Sequence, residues 1–252
     1  MSQFVVFAGL TGLIVGSFSN VLIARLPEGE SLVRPLSRCS VCGTNLVWRD
    51  NIPVVSWLLL RGRCRMCDSR ISWQYPAVEL ACAAIWAAAA WSWGPSVRSL
   101  SAVLLASALL PIAITDARHY IIPDRLSIGG LVAGLTLAFL PGGQTPVSAV
   151  LGAAAGFGVL YVVGWLGEII FHRPAMGGGD IKMLAMIGAL IGPVGALLTL
   201  FIGALLGAAC FGPRALRTGQ LVPFGVFLAL GAALAFLFGD LILEWYFGLL
   251  SR

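Results

Sequence analysis

Charge is what this sequence has least of. Asp, Glu, Lys and Arg make up 11% of its 252 residues and hydrophobic residues 59%, where soluble domains carry about 25% and roughly 45–50%. A chain with so little polar surface is excluded from the water-soluble class and reads as an integral membrane protein. The net charge of +5 lacks a continuous basic face, because the arginines fall between apolar runs; membrane topology accounts for it, and no nucleic-acid partner is expected. Nothing basic precedes the first apolar stretch, and no small-residue cleavage site follows it convincingly. That stretch therefore reads as a retained span rather than a cleaved leader. Absent too is a Gly-x-Gly-x-x-Gly after a strand, the Rossmann fingerprint.

What is present is a series of apolar runs. Crossing a bilayer takes roughly 20 helical residues, and candidates occur at about 4–23, 76–93, 100–115, 126–140, 147–170, 181–191, 194–211 and 224–250. The expectation is an all-α polytopic protein with about eight transmembrane helices. The sixth run is too short alone, and the fourth is short unless it starts near Ile121 or sits deep in protein. Arg25, Arg34, Arg38, Arg49, Arg61, Arg63, Arg65 and Arg70 follow the first span, which places that segment in the cytoplasm and the amino terminus outside. Eight spans threaded from there put Arg118 with Arg125, Arg173 with Lys182, and Arg214 with Arg217 inside, leaving only Arg98 and Arg252 outside. Both termini are then external, and Asp116 and Asp180 share the cytoplasmic boundary.

Residues 24–75 are the one candidate soluble domain, between a first span at 1–23 and a membrane core at 76–252. The segment is too small to bury a large core, and its turns, such as Leu26-Pro27-Glu28-Gly29, Arg34-Pro35 and Asp50-Asn51-Ile52-Pro53, leave little room for long helices. Cys39-Ser40-Val41-Cys42 and Cys64-Arg65-Met66-Cys67 supply the alternative: two C-x-x-C pairs can close a tetrahedral zinc cage. Their tails, Cys42-Gly43-Thr44-Asn45-Leu46-Val47-Trp48 and Cys67-Asp68-Ser69-Arg70-Ile71-Ser72-Trp73, resemble one another. A disulfide or redox role is the competing reading, disfavoured by the cytoplasmic placement and by the lack of a surrounding βαβ pattern. Cys82 and Cys210 lie in apolar spans and read as packing residues.

Carboxylates at a membrane boundary are costly and are kept for chemistry, charge pairing or transport. Asp116, in Ile114-Thr115-Asp116-Ala117-Arg118, and Asp180, after Met176-Gly177-Gly178-Gly179, each stand beside a helix break and form a candidate catalytic pair. A proton-coupled transporter would also use paired aspartates and Gly-broken helices, but inverted repeats are not evident and the cysteines have no place in it. A zinc-dependent scaffold for assembly is a third reading. Asp124, before Leu126, reads as an N-cap. His119 and His172 read as interfacial, beside arginines and aromatics, and Glu168 likewise. Asp240 and Glu244 fall toward the outer side of the last span. Glu79, soon after Pro76, suits the positive end of its helix.

The ordered motifs resemble one family over nearly the whole chain: the bifunctional type IV prepilin peptidases of the GxGD membrane aspartic protease class. The resemblance begins with Gly16-Ser17-Phe18-Ser19-Asn20-Val21-Leu22-Ile23-Ala24-Arg25-Leu26-Pro27 and runs through the four cysteines and Asp50–Arg65. It continues in Ile71–Leu80, Asp116 with Ile122-Pro123-Asp124, Gly177-Gly178-Gly179-Asp180-Ile181-Lys182 and Val222-Pro223-Phe224-Gly225. Gly-x-Gly-Asp alone is a weak signal; the ordered set is specific. Ser40 departs from the proline common after the first knuckle cysteine, leaving the ligands untouched.

The resemblance implies a bacterial inner-membrane enzyme. It would cut short basic leaders from type IV prepilins or type II secretion pseudopilins with Asp116 and Asp180, then methylate the new amino terminus with S-adenosylmethionine. It implies that Cys39, Cys42, Cys64 and Cys67 hold a structural zinc in the segment associated with methylation. Gly177, Gly178 and Gly179, able to adopt positive φ, would let an extended substrate backbone approach. Glu79 would touch substrate or methyl donor. Lys182 would either anchor the cytoplasmic boundary or act on the dyad and its substrate.

Overall fold

A computed structural model describes the chain except residues 35, 173–175, 219–221 and 251–252, and the side chains of 171, 212–218 and 250. Arg173, Arg252 and the side chains of Arg214 and Arg217, used above for topology, lie outside the described residues. The described residues form eight α-helices and no strand: α1 (Ser2–Arg25), α2 (Val55–Leu59), α3 (Gln74–Trp93), α4 (Val97–His119), α5 (Asp124–Leu137), α6 (Pro146–Phe171), α7 (Gly178–Thr218) and α8 (Phe224–Leu250). The chain divides into two compact units, residues 1–111 and 112–252, the division falling at Pro111 within α4.

Among the described residues five helices are long and apolar enough to cross a membrane: Ser2–Arg25, Val97–His119, Pro146–Ile170, Gly178–Phe211 and Phe224–Leu249. The expected eight differ for three physical reasons. The second span, α3, has 20 residues but is built largely of alanine around Glu79. With 14 residues, α5 is only about 21 Å long. The sixth and seventh runs join in α7, interrupted at Gly192, where φ 80° and ψ 175° leave helical geometry.

In the first unit α1 packs on α3 through small residues. A Cβ at Gly12 would lie 2.8 Å from Ala83 Cα, and one at Gly16 would lie 2.6 Å from Glu79 Cα. The backbones can approach only because these positions are bare. Close approach brings polar groups within reach: buried Asn20 donates through Nδ2 to the Tyr75 carbonyl at 3.1 Å and the Gly16 carbonyl at 3.3 Å.

The second unit is built around the first half of α7. Residues 183–190 are all buried, with Met183, Leu184, Met186 and Ile187 fully enclosed, and α5, α6 and α8 pack against this helix. A run too short to span by itself is thus the centre of the unit. Gly152 and Gly188 face each other so closely that a Cβ on either would run into the other's carbonyl oxygen, and Gly156 meets the Leu184 carbonyl in the same way. This Gly-x-x-x-Gly contact holds α6 against α7. On α8, a Cβ at Gly231 would reach 2.5 Å from the Thr199 carbonyl of α7.

Candidate active site

Both candidate catalytic aspartates belong to the second unit. Asp116 lies in the last turn of α4 and is 5% exposed. Its Oδ2 accepts the Val226 N–H at 3.2 Å. Because α8 starts at Phe224, this N–H is one of the first-turn donors that have no partner inside their own helix. The α8 terminus thus presents its positive end to the Asp116 carboxylate. Asp180 is the third residue of α7, and its N–H donates to the Gly177 carbonyl at 3.1 Å. Its Oδ1 is buried with no hydrogen-bond partner among the described residues, an arrangement that costs folding energy and is retained where the oxygen serves a reaction. The two carboxylates are close enough for their charges to interact.

Ile122, between α4 and α5, joins the two halves of the site. A Cβ at Gly179 would lie 2.8 Å from Ile122 Cβ, and one at Gly225 would lie 2.8 Å from Ile122 Cδ1 and 2.9 Å from Asp116 Oδ2. Gly177 has the same relation to Asp180, with its Cβ position 2.8 Å from Oδ2, while Gly178 has nothing within 4 Å among the described residues. The three glycines therefore do different things: one clears space over the carboxylate, one seats Ile122 and one faces open space. None of the three uses the positive φ open to glycine; at Gly177 and Gly179 what requires glycine is proximity. Ile122 and Gly225 were motif letters in the sequence, and only the fold gives them partners.

Lys182 Nζ meets Asp124 Oδ1 at 2.6 Å, tying α7 to α5. The expected N-cap role of Asp124 is replaced by this pair: Pro123 is the N-cap of α5, and Asp124 is its first helical residue. His119 ends α4 and His172 caps α6 in a left-handed conformation, φ 52°; both are exposed.

In the first unit, Glu79 is the sixth residue of α3 rather than part of its first turn. The expected service to its own helix end does not occur. Its buried Oε2 accepts the Val54 N–H at 2.7 Å, where Val54 precedes α2 with φ 61°, and the Ser17 hydroxyl also reaches it. The carboxylate pins the cysteine-bearing segment to the α1–α3 pair.

The four cysteine sulfurs, of Cys39, Cys42, Cys64 and Cys67, lie within 4.8 Å of one another, with Cys39 and Cys67 at 3.8 Å. Sulfurs bound about 2.3 Å from a tetrahedral zinc are about 3.8 Å apart, so the cluster fits a metal ion. The two knuckles are built alike. Cys39 N–H donates to Thr44 O at 2.9 Å and Cys64 N–H to Ser69 O at 2.8 Å; Leu46 N–H meets Ser37 O and Ile71 N–H meets Gly62 O, each at 2.7 Å. Gly43 and Asp68 take the matching left-handed positions, φ 70° and 57°. These turns aim donors at sulfur. Backbone N–H groups of Cys42 and Val41, with the Ser69 hydroxyl, pull the Cys39 thiol down to about 6, and Ser69 lowers Cys67 through its hydroxyl and its N–H. A thiolate is what a metal requires. Arg65 clamps the segment from the side, with Nη2 2.6 Å from Asp50 Oδ1 and Nε 3.1 Å from both oxygens.

Residues 10–93 match the bacterial peptidase A24 N-terminal domain, and residues 103–212 match the type IV leader peptidase family. A prepilin leader peptidase/N-methyltransferase of Pseudomonas putida is 36% identical over 266 residues, covering 95% of this chain and 92% of the relative. The chain belongs to the type IV leader peptidase family. Two further members carry the same name: one from Bacillus subtilis (strain 168), 37% identical over 93% of this chain and 94% of its own length, and one from Myxococcus xanthus (strain DK1622), 40% identical over 87% of this chain. The chain spans 66% of the Myxococcus relative's length. No solved structure matches it.

Proposed function

We propose that this protein cleaves the leader of a type IV prepilin or type II secretion pseudopilin and then N-methylates the exposed amino terminus. The observation that carries the reading is the pairing of Asp116 and Asp180 across Ile122, with one carboxylate oxygen buried and without a partner among the described residues. Two adjacent carboxylates hold a single proton more readily than none or two. The ionised member takes a proton from water as that water attacks the scissile carbonyl; the protonated member donates a hydrogen bond to the carbonyl oxygen, so no covalent acyl-enzyme is required. The proton belongs to the pair, and either aspartate can begin as the base. The Val226 N–H helps fix the orientation of Asp116, and bare Gly178 leaves room for an extended peptide beside Asp180.

Eight spans, a cytoplasmic segment at 24–75, external termini and an inner-membrane location complete the proposal. This topology sets the dyad at the cytoplasmic boundary, where a basic leader meets an apolar stem that remains in lipid. Zinc would sit on Cys39, Cys42, Cys64 and Cys67. With four thiolates its shell is closed and leaves no position for water, so its contribution is structural. S-adenosylmethionine enters as the co-substrate that supplies the methyl group.

The test is leader removal from a prepilin by membranes carrying the wild type, Asp116→Asn or Asp180→Asn. Cleavage should vanish in both variants; retained cleavage in either would sink the dyad. Mass analysis of the product amino terminus should find one added methyl group.

A further inference from the structure

A second pocket lies in the first unit, with no cysteine in its lining. A cavity of about 560 Å³ is lined chiefly by Trp57, Trp73, Arg61, Arg63, Arg70 and Ile71. Its walls are set before any ligand arrives. Trp57 Nε1 donates to the Ile71 carbonyl at 3.2 Å, and the turn at Gly62, φ 67°, lies so close to the Trp57 ring that a Cβ there would be 2.9 Å from it. The charges are unevenly satisfied. Arg63 pairs with Asp68 at 2.5 Å and Arg65 with Asp50 at 2.6 Å, whereas no acidic partner is found for the Arg61 and Arg70 guanidiniums among the described residues.

Exposed apolar residues follow the Trp57 wall directly in the chain. On α2, Leu58 and Leu59 are 61% and 78% exposed, and Trp73, the residue before α3, is 74% exposed. Arginine on a solvated face needs no explanation, and neither do scattered exposed leucines. Two guanidiniums without an acidic partner among the described residues, in a tryptophan-walled cavity with exposed leucines next to it in the chain and an apolar helix starting from it, match the composition of a lipid headgroup layer.

We propose that this pocket holds the headgroup of an anionic phospholipid, with the phosphate on Arg61 and Arg70 and the acyl chains leaving along Leu58, Leu59 and Trp73. Guanidinium presents paired N–H donors that suit phosphate oxygens. A zwitterionic lipid brings its own cation to the same place and is opposed by the arginines. S-adenosylmethionine carries a net positive charge at neutral pH and has no use for the exposed leucines, so the pocket chemistry favours the lipid. The inference is independent of the peptidase dyad.

Native mass spectrometry of the full-length protein in neutral detergent tests it, with dioleoylphosphatidylglycerol and dioleoylphosphatidylcholine supplied in equal amounts. Wild type should retain the glycerol lipid preferentially. Each basic group near an anionic surface is worth about a fivefold preference, so Arg61→Gln with Arg70→Gln should lower the preference about 30-fold. Bound zinc, measured on the same samples, reports whether the variant keeps its fold. An unchanged preference in a zinc-bearing variant overturns the proposal, as does equal retention of both lipids by wild type. Two competition arms use wild type alone. Millimolar inorganic phosphate or S-adenosylmethionine should leave the bound lipid in place; displacement by phosphate would make this a soluble-anion site, and displacement by S-adenosylmethionine would assign it to the methyl donor.

Discussion

Gly225→Ala isolates the geometry of the dyad from its chemistry. The added methyl would stand 2.9 Å from Asp116 Oδ2, 3.1 Å from its Cγ and 2.8 Å from Ile122 Cδ1. The Ile122 contact is the free end of a flexible chain and can swing away. Asp116 cannot do so freely, because Oδ2 accepts the Val226 N–H one residue along α8. Reaching ordinary contact distance asks the carboxyl to move about half an ångström, and misplacement by 1 Å can cost about 100-fold in rate. Half of that displacement predicts a kcat about 10-fold lower, or about 1.4 kcal/mol of barrier, with KM for a prepilin peptide within about twofold. Initial rates of cleavage at several substrate concentrations separate the two parameters. Gly129→Ala is the control: it sits in α5 with open space around its Cβ position, and exchanging a helical glycine for alanine stabilises by about 0.5–1 kcal/mol. If Gly225→Ala cleaved at the wild-type kcat, the placement of Asp116 against α8 would be wrong.

Three other substitutions reach different links of the argument. Gly152→Leu drives a side chain into the Gly188 carbonyl of α7 and should destabilise by more than about 3 kcal/mol, overpacking at backbone being at the upper end of such costs; the readout is loss of folded protein in the membrane, while Gly158→Leu, with open space around it, should accumulate normally. Arg65 holds the Asp50 carboxyl below its ordinary value, so this bridge contributes its full stability above about pH 4 and loses it as pH falls through the lower folded value. Asp50→Asn should therefore flatten the acid limb of a thermal-melting curve between about pH 5 and 2, and an unaltered limb would exclude the pair as its source. Cys39→Ser should lower bound zinc and product methylation before it abolishes leader cleavage; equal loss of zinc and cleavage in the purified protein would contradict that separation.

The cysteine spacing, the two candidate aspartates and the apolar runs were legible in the sequence because each is a local pattern. The break between the sixth and seventh runs was visible around Gly192, and α7 does leave helical geometry there. What stayed hidden was partnership over distance. Glu79 looked like a group serving its own helix end, yet its acceptor oxygen serves Val54, 25 residues earlier. Asp124 carried a cap signal that yielded to Lys182, 58 residues away. Gly152 and Gly188 are unremarked among 31 glycines until the fold sets them face to face. Span counting met a related limit: hydropathy measures a residue's preference for lipid, while 183–190 are buried in protein and α3 reaches 20 residues with alanine.

The knuckles also have a topological meaning. Each supplies two sulfurs, so neither can close a cage alone, and a metal held by both turns residues 43–63 into a covalently bounded ring. That ring contains Val54, the residue held by Glu79 from α3. The segment is therefore a loop fastened at two independent points, one by coordination and one by a buried carboxylate. Losing the metal would lengthen the untethered chain on either side of Val54 without releasing Val54 itself. Removing the Glu79 carboxylate would instead free a still-closed ring to move as one body, so the two lesions should give different patterns of amide exchange even if their stability losses matched.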